Sequence, residues 1–63
     1  MEPTKRELDV LRLLAQGYTA KRISNDINVS STTVITHIEH LKKKFGCTKI
    51  ADLIYKTTKL GLI

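Results

Sequence analysis

The sequence predicts an all-α fold, a compact domain of four helices, and three observations support that prediction. Apolar residues recur every three or four positions, and no segment sustains the alternation of a half-buried strand. Only three glycines and one proline interrupt the 63 residues. Hydroxyl residues and glycines stand where four helices would begin and end. No linker or internal repeat divides the chain, so we predict that residues 1–63 form one domain.

The first predicted helix covers residues 5–16. Thr4 precedes it and forms a T-x-x-E capping box with Glu7, in which side-chain oxygens accept from free backbone N–H groups. Gly17 follows, because glycine adopts the left-handed conformation that ends many helices. The apolar stripe is expected to comprise Leu8, Val10, Leu11, Leu14 and Ala15.

The second predicted helix covers residues 20–27, between Thr19 as its cap and Asn28 as its stop. Asn is expected at the stop because it tolerates the left-handed conformation better than most residues. Ile23 and Ile27 lie one turn apart on its apolar side.

The third predicted helix covers residues 31–45, between the cap Ser30 and the stop Gly46. Its apolar residues step by four, three and four positions along one face, which we expect to be buried. They are Val34, Ile38, Leu41 and Phe45.

The fourth predicted helix covers residues 49–60, with Thr48 as its cap and Gly61 as its stop. Asp52 places an acid in its first turns, where it complements the helix dipole. Its apolar side is expected to comprise Ile50, Leu53, Ile54 and Leu60, with Ala51 and Tyr55 beside them.

The formal net charge is +5, from 11 Lys and Arg against 6 Asp and Glu. Such an excess indicates a polyanionic partner, although a basic but merely solvated surface is the alternative. Met1 leads into Glu2 and Pro3 without the basic and apolar segments of a signal peptide. The longest apolar runs are far too short to span a bilayer. We therefore expect a cytoplasmic location and no membrane contact.

Residues for catalysis or metal binding are poorly represented. Cys47 is the only cysteine, so it is expected to fill space in the turn after Gly46 and not to form an internal disulfide. His37 and His40 lie three apart, but Glu39 and Cys47 do not complete a convincing set of metal ligands. No Ser/His/Asp arrangement, glycine-rich phosphate loop or inward acid pair occurs. We expect no enzyme activity, no metal and no cofactor.

The third helix should present hydroxyl side chains in its first half and cations in its second, on the face opposite its apolar stripe. In DNA-binding proteins, cations contact phosphates and short side chains approach base edges. A tight turn followed by such a helix predicts a helix-turn-helix, with residues of about 31–45 in the major groove of double-stranded DNA. The exposed face would comprise Ser31, Thr32, Ile35, Thr36, Glu39, His40 and Lys43.

Ile35 has no evident intramolecular role in the middle of this polar face. Contact with thymine methyl groups would supply one. The alternatives are packing against the second helix, or a singly exposed apolar residue of the ordinary kind.

Three consecutive lysines, 42–44, end the third helix. They cannot all face one straight DNA backbone, so we expect one or two to contact phosphate; the alternative is a solvated helix end that complements the dipole. Lys21 opens the second helix, whose free N–H groups also suit a phosphate.

Several motifs together resemble the C-terminal DNA-binding domain of LuxR-type (GerE-like, NarL/FixJ-type) bacterial transcription regulators. They are T-x-R-E-x-x-V-L from Thr4, L-x-x-G-x-T-x-K-x-I from Leu14, V-S-x-x-T-V-x-x-H-I from Val29 and K-F-G from Lys44. The resemblance extends over residues 4–63. It implies a LuxR-type helix-turn-helix domain formed by the second and third helices, usually located behind a receiver or ligand-sensing domain.

The resemblance also implies site residues and partners. Base-facing positions fall on Ile35, Thr36 and Glu39, and phosphate contacts near Lys21, Thr32, Thr33 and Lys43. A two-fold dimer contact on DNA falls on the fourth helix, for which we predict the surface of Ala51, Tyr55 and Thr58. The expected partners are double-stranded DNA, a second copy of the chain and RNA polymerase.

This chain departs from the family pattern at the centre of the predicted groove contact. The family commonly has Lys where Ile35 stands, and often a basic or polar residue where Glu39 stands. Arg22 replaces a common Glu and Ser24 a common Ala. Glu39 either accepts from cytosine N4 or repels phosphate and limits non-specific binding. The DNA sequence recognised is therefore left open.

Two other functions remain open from the sequence. A degenerate helix-turn-helix used for protein–protein contact or dimerisation would account for Ile35 and Glu39 on the outer face. A sigma region 4-like domain would share the helix-turn-helix and bind polymerase as well. The ending Gly61-Leu62-Ile63 favours the LuxR-type alternative.

Overall fold

The computed structural model describes residues 2–63 and contains only α-helices as regular elements in that range. The helices are α1 (Lys5–Ala15), α2 (Ala20–Ile27), α3 (Ser31–Phe45) and α4 (Ile50–Lys59). The predicted four-helix, all-α fold is confirmed, with α1 and α4 slightly shorter than expected. None of the helices described is long and apolar enough to cross a membrane.

The first three helices begin where the sequence predicts. Thr4 Oγ1 accepts from the Glu7 backbone N–H at 3.1 Å, and Glu7 Oε1 accepts from the Thr4 N–H at 2.9 Å, so the capping box closes. Thr19 and Ser30 likewise accept from the third residue of their helices. Each bond satisfies a backbone donor that the helix itself leaves free.

The prediction that Thr48 caps α4 is wrong. The residue before the helix is Lys49, with an extended backbone of φ −119° and ψ 147°, and its side chain makes no capping hydrogen bond. Thr48 stands one residue too early to reach the free N–H groups of the first turn. Asp52 does lie in that turn, as predicted.

A residue in the left-handed conformation ends each of α2 and α3. Asn28 adopts φ 57° and ψ 47°, and Gly46 adopts φ 66° and ψ 35°, so both predicted stops are confirmed. The end of α3 also receives a side-chain donor, because Lys56 Nζ donates to the Phe45 carbonyl at 2.7 Å. That bond ties α4 to the last turn of α3.

The core consists of two clusters that meet at α3. Val10, Leu14, Ile23, Val34 and Ile38 form one, and Leu11, Leu41 and Leu53 form the other. Because α1, α2 and α4 all pack against α3, one face of α3 is buried along most of its length. The opposite face is left to solvent.

Three residues predicted on apolar stripes are exposed. Ala15 lies at the surface, and Ile50 and Leu60 are 40% and 61% exposed. Ile50 begins α4 and Leu60 follows its last residue, and the buried residues of this short helix are Leu53 and Thr57 between them. Leu13, which was not predicted, packs against the first cluster instead of Ala15.

A largely buried ion pair joins the start of α1 to the end of α3. Lys44 Nζ donates to Glu7 Oε1 at 2.5 Å, and the Lys44 side chain is only 18% exposed. Burial raises the pKa of Glu7, but the hydrogen bonds from Lys44 and from the Thr4 backbone outweigh it, so the pKa lies below its usual value. The pair therefore stabilises the packing of α1 on α3.

Candidate nucleic-acid interface

The turn between α2 and α3 is three residues long, and hydrogen bonds fix it on both sides. The Val29 N–H donates to the Ser24 carbonyl at 3.1 Å, and Ser30 caps α3. Buried Ser24 donates its hydroxyl to the Lys21 carbonyl at 2.6 Å and lies 3.3 Å from the Ser31 hydroxyl. The predicted tight turn is confirmed, and α2 and α3 are held as one rigid unit around it.

The outward face of α3 is exposed throughout, as the sequence predicts. An α-helix turns about 100° per residue, so this face lies opposite the buried Val34, Ile38 and Leu41. Ile35 is 51% exposed, which rules out its burial against α2. Every residue predicted for this face is exposed, and Thr33 is exposed as well; the predicted residues are Ser31, Thr32, Ile35, Thr36, Glu39, His40 and Lys43.

The hydroxyl groups at the start of α3 differ in what they can offer a ligand. Thr36 Oγ1 donates to the Thr32 carbonyl at 3.0 Å, so its single proton is used and its oxygen remains an acceptor. Thr33 Oγ1 lies 2.9 Å from Ser30 Oγ and takes part in the cap. Ser31 donates to the Ser24 oxygen, because the single proton of Ser24 goes to the Lys21 carbonyl. Thr32 is therefore the more available donor on this face.

The structure separates the three lysines at the end of α3. Lys44 is paired with Glu7, and Lys42 Nζ lies 3.2 Å from Glu39 Oε2. Lys43 is exposed and makes no ion pair within residues 2–63. Of the three, Lys43 is therefore the one without an ion pair among the residues described, and its contact with phosphate stays a prediction.

The start of α2 presents a second exposed cation, Lys21. The neighbouring Arg22 is already engaged, because its guanidinium lies 4.5 Å from the centre of the Tyr18 ring and 3.4 Å from Asp26 Oδ1. Sequence reasoning did not identify this arrangement, although the four-residue spacing of Arg22 and Asp26 signals a helical pair. The stacking on Tyr18 has no comparable sequence signal.

The two histidines and the cysteine differ in their exposure. His37 is half-buried and His40 exposed, and the residues described contain no group of three or more His, Cys, Asp or Glu that could hold a metal ion. Cys47 is half-buried and packs against the cluster of Leu11, Leu41 and Leu53. The prediction that Cys47 fills space in the turn is thus confirmed.

The outer side of α4 carries the predicted dimer surface. Ala51, Tyr55 and Thr58 are all exposed, and the Tyr55 side chain is 66% exposed. Lys59 Nζ lies 5.7 Å from the centre of the Tyr55 ring. These residues point away from Leu53 and Thr57, the buried residues of α4.

Comparison with known proteins places these helices in a family. Residues 3–57 match the GerE family model, described as bacterial regulatory proteins of the luxR family. The transcriptional regulatory protein MctR of Rhizobium johnstonii is 38% identical over 60 residues, which cover 95% of this chain and 28% of MctR. The HTH-type transcriptional regulator MalT of Yersinia pestis (strain Pestoides F) is 35% identical over 57 residues, which cover 90% of this chain and 6% of MalT. This chain thus spans less than a third of either relative.

Two solved structures have the same fold. The response regulator ChrA of a heme-sensing two-component system matches all of this chain and 31% of its own, with a TM-score of 0.95 and 27% identity. The transcription factor GerE matches 94% of this chain and 88% of its own, with a TM-score of 0.90 and 32% identity. The family model, the relatives and both folds agree over the helix-turn-helix described above. The chain belongs to the luxR family of bacterial regulatory proteins.

Proposed function

We propose that this chain binds double-stranded DNA sequence-specifically as a dimer and regulates transcription. The observation that carries the proposal is α3 itself, which is buried on one face and exposes hydroxyl, apolar and cationic side chains along the other. An α-helix fits the major groove of B-DNA, and such side chains contact its phosphates and base edges. Membership of a family of regulatory proteins supports the same role.

The proposed contacts with DNA lie on both α2 and α3, and they divide into phosphate contacts and base contacts. Lys21 and Lys43 would contact phosphates, together with Thr32 and Thr33 near the start of α3. Ile35, Thr36 and Glu39 would face the bases, and Ser31 and His40 flank them on the same exposed surface. The free cations stand on both helices of the unit, so they can fix its orientation on the duplex.

The proposed dimer contact uses the surface of Ala51, Tyr55 and Thr58 on α4. Exposed aromatic residues are enriched at interfaces, and Tyr55 is the most exposed large apolar side chain of the residues described. Two copies would place two α3 helices on half-sites about one helical turn apart. We include RNA polymerase as a proposed partner because it is the enzyme that a transcription regulator controls.

The proposal is tested by selecting bound sequences from random duplex DNA and then titrating the chain onto the selected duplex by fluorescence anisotropy. We expect two related half-sites, and an affinity that falls steeply as salt rises, because phosphate contacts release counterions. Recovery of random sequence, with no preference over excess unrelated DNA, would contradict the proposal.

A protein–protein contact through α3 is the second candidate, since Ile35 is an apolar residue exposed on that face. It predicts tight association between proteins, and DNA affinity no better than that of any basic protein of this charge. The same competition with unrelated DNA distinguishes the two functions.

A further inference from the structure

We propose that the middle of α3 recognises thymine methyl groups and the amino groups of adenine and cytosine, and does not contact guanine. The inference concerns three residues, Ile35, Thr36 and Glu39, which we call the reading triad. It rests on the proposed DNA binding and adds to it the chemical class of base that the triad accepts.

The reading triad forms one continuous exposed patch. At about 100° per residue, its three members fall within an arc of about 100° on the side opposite the buried stripe. They are the fifth, sixth and ninth residues of the 15-residue α3, and recognition helices contact base edges mainly from the side of their N-terminus. A single base step can therefore lie against more than one of them.

The triad has no proton to donate. Ile35 carries no polar atom, and Thr36 spends its hydroxyl proton on the Thr32 carbonyl at 3.0 Å. The Glu39 carboxylate only accepts, and Lys42 binds its Oε2 at 3.2 Å, which leaves Oε1 as an acceptor. The patch offers apolar carbon and acceptor oxygens.

Guanine presents only acceptors, N7 and O6, to the major groove, and it is read mainly by Arg or Lys. Opposite the triad those acceptors would lose water without gaining a donor, and O6 would face a carboxylate. Adenine N6 and cytosine N4 carry protons that Glu39 and Thr36 can accept. The charge and hydrogen bonding of the triad therefore favour amino-bearing bases.

Ile35 accounts for the proposed preference for thymine. It is 51% exposed, and its branched Cβ restricts the side chain to few rotamers, so it presents a nearly fixed hydrocarbon surface. The thymine C5-methyl is the one apolar group that a base exposes in the major groove. Lys42 also offsets the charge of Glu39, which lets the acidic side chain approach the DNA.

The test begins with the selected duplex, and each thymine is replaced in turn by deoxyuridine, which lacks only the C5-methyl group. At one or more positions we expect the affinity of the unaltered chain to fall about fourfold, the equivalent of one buried methyl group. Ile35→Ala should lose that difference between thymine and uracil. Ile50→Ala, at another exposed isoleucine, should retain it.

A second selection of bound DNA sequences, made with the Glu39→Gln variant, tests the role of Glu39 as a hydrogen-bond acceptor. The amide can donate as well as accept, so this variant should admit guanine at a position where the unaltered chain excludes it. Two outcomes would overturn the inference and leave the proposed function standing. One is specific binding whose affinity does not change when thymine is replaced by uracil. The other is a selected site with guanine at the positions that depend on Ile35 or Glu39. Absence of any sequence-specific binding would overturn both the inference and the proposed function.

Discussion

At the scale of single residues, three consecutive lysines of the same charge have three different environments. Lys44 is a structural partner of Glu7, Lys42 offsets Glu39, and Lys43 is exposed without an ion pair in the described part of the chain. Their order along α3 explains the difference, because steps of about 100° point neighbouring side chains in different directions. Only Lys43 points directly away from the core.

Lys43→Ala should weaken binding to every duplex sequence and reduce the slope of log affinity against log salt by about 1. The physical reason is the loss of one phosphate contact, which carries no sequence information. Anisotropy titrations at several salt concentrations measure both quantities. Lys5→Ala removes the same charge at an exposed position of α1 and is the matched control. Equal effects of the two variants on DNA affinity would show that only the net charge matters.

Glu7→Gln should lower the free energy of unfolding by about 1–3 kcal/mol, because Lys44 is left without its counterion in a largely buried position. Glutamine can still serve the capping box, so the change mainly reports the ion pair. Urea denaturation measures the loss. Glu2→Gln removes an acid at an exposed position and should have little effect.

The same pair predicts a pH dependence. The pKa of Glu7 is lower in the folded chain than its usual value of 4.5, so the stabilisation is fully present above that value and is lost as the pH falls through the folded-state pKa. The difference in stability between the unaltered chain and Glu7→Gln should therefore shrink between about pH 5 and pH 3. Thermal unfolding across this range measures it, and a constant difference would exclude Glu7 as the source.

At the scale of the elements, the helices differ in how their ends are stabilised. At the starts of α1, α2 and α3, the side chains of Thr4, Thr19 and Ser30 each accept a hydrogen bond from a backbone N–H, whereas Lys49 before α4 accepts none. Among the helices described, α4 is therefore the one whose start lacks a side-chain cap, and Asp52 in its first turn complements the helix dipole instead. Its backbone at Lys49 is extended, as a capping residue requires.

Lys49→Ser should raise the free energy of unfolding by about 0.5–1 kcal/mol, because a serine hydroxyl can accept from the first turn of α4. Thr48→Ala should be close to neutral, and Thr19→Ala should cost about 1 kcal/mol. Urea denaturation of the three variants tests the assignment of caps. A clear loss for Thr48→Ala would place the cap at Thr48 after all.

At the scale of the whole molecule, α3 serves the core and the proposed interface at once. It packs against all three other helices and contributes to both hydrophobic clusters, while its remaining face stays exposed. A chain of this size buries only about 60% of the surface that its unfolded form exposes, so partners add usefully to its stability. Duplex DNA and a second copy of the chain would both do so.

Tyr55→Ala should reduce the cooperativity of binding to a duplex with two half-sites and leave the affinity for a single half-site unchanged. The reason is that Tyr55 lies on α4, away from α3, and would contact the second copy and not the DNA. Anisotropy with one-site and two-site duplexes measures both affinities. Leu60→Ala, another exposed apolar side chain, is the control, and a loss of single-site affinity for Tyr55→Ala would contradict the proposed dimer contact.

The helix-turn-helix and its exposed face were predictable from local chemistry. Caps, left-handed stops and helical spacing depend on residues at most four positions apart, so the sequence determines them almost directly. For this reason the bounds of α2 and α3 agree with prediction, and the seven outward residues of α3 are indeed exposed.

Tertiary structure alone decided the features that join residues far apart in sequence. Glu7 meets Lys44 across 37 positions, and Lys56 reaches the Phe45 carbonyl, contacts that no local spacing signals. The exposure of Ile50 and Leu60 likewise depends on how far α4 extends past the core. The four helices and the outward face of α3 could be predicted from the sequence, because short-range hydrogen bonds and periodicity are local. Packing of the helices decided the pairing of Lys44, because Glu7 lies near it only in space. Lys42 instead pairs with Glu39 three positions earlier in the same helix, which is a local spacing.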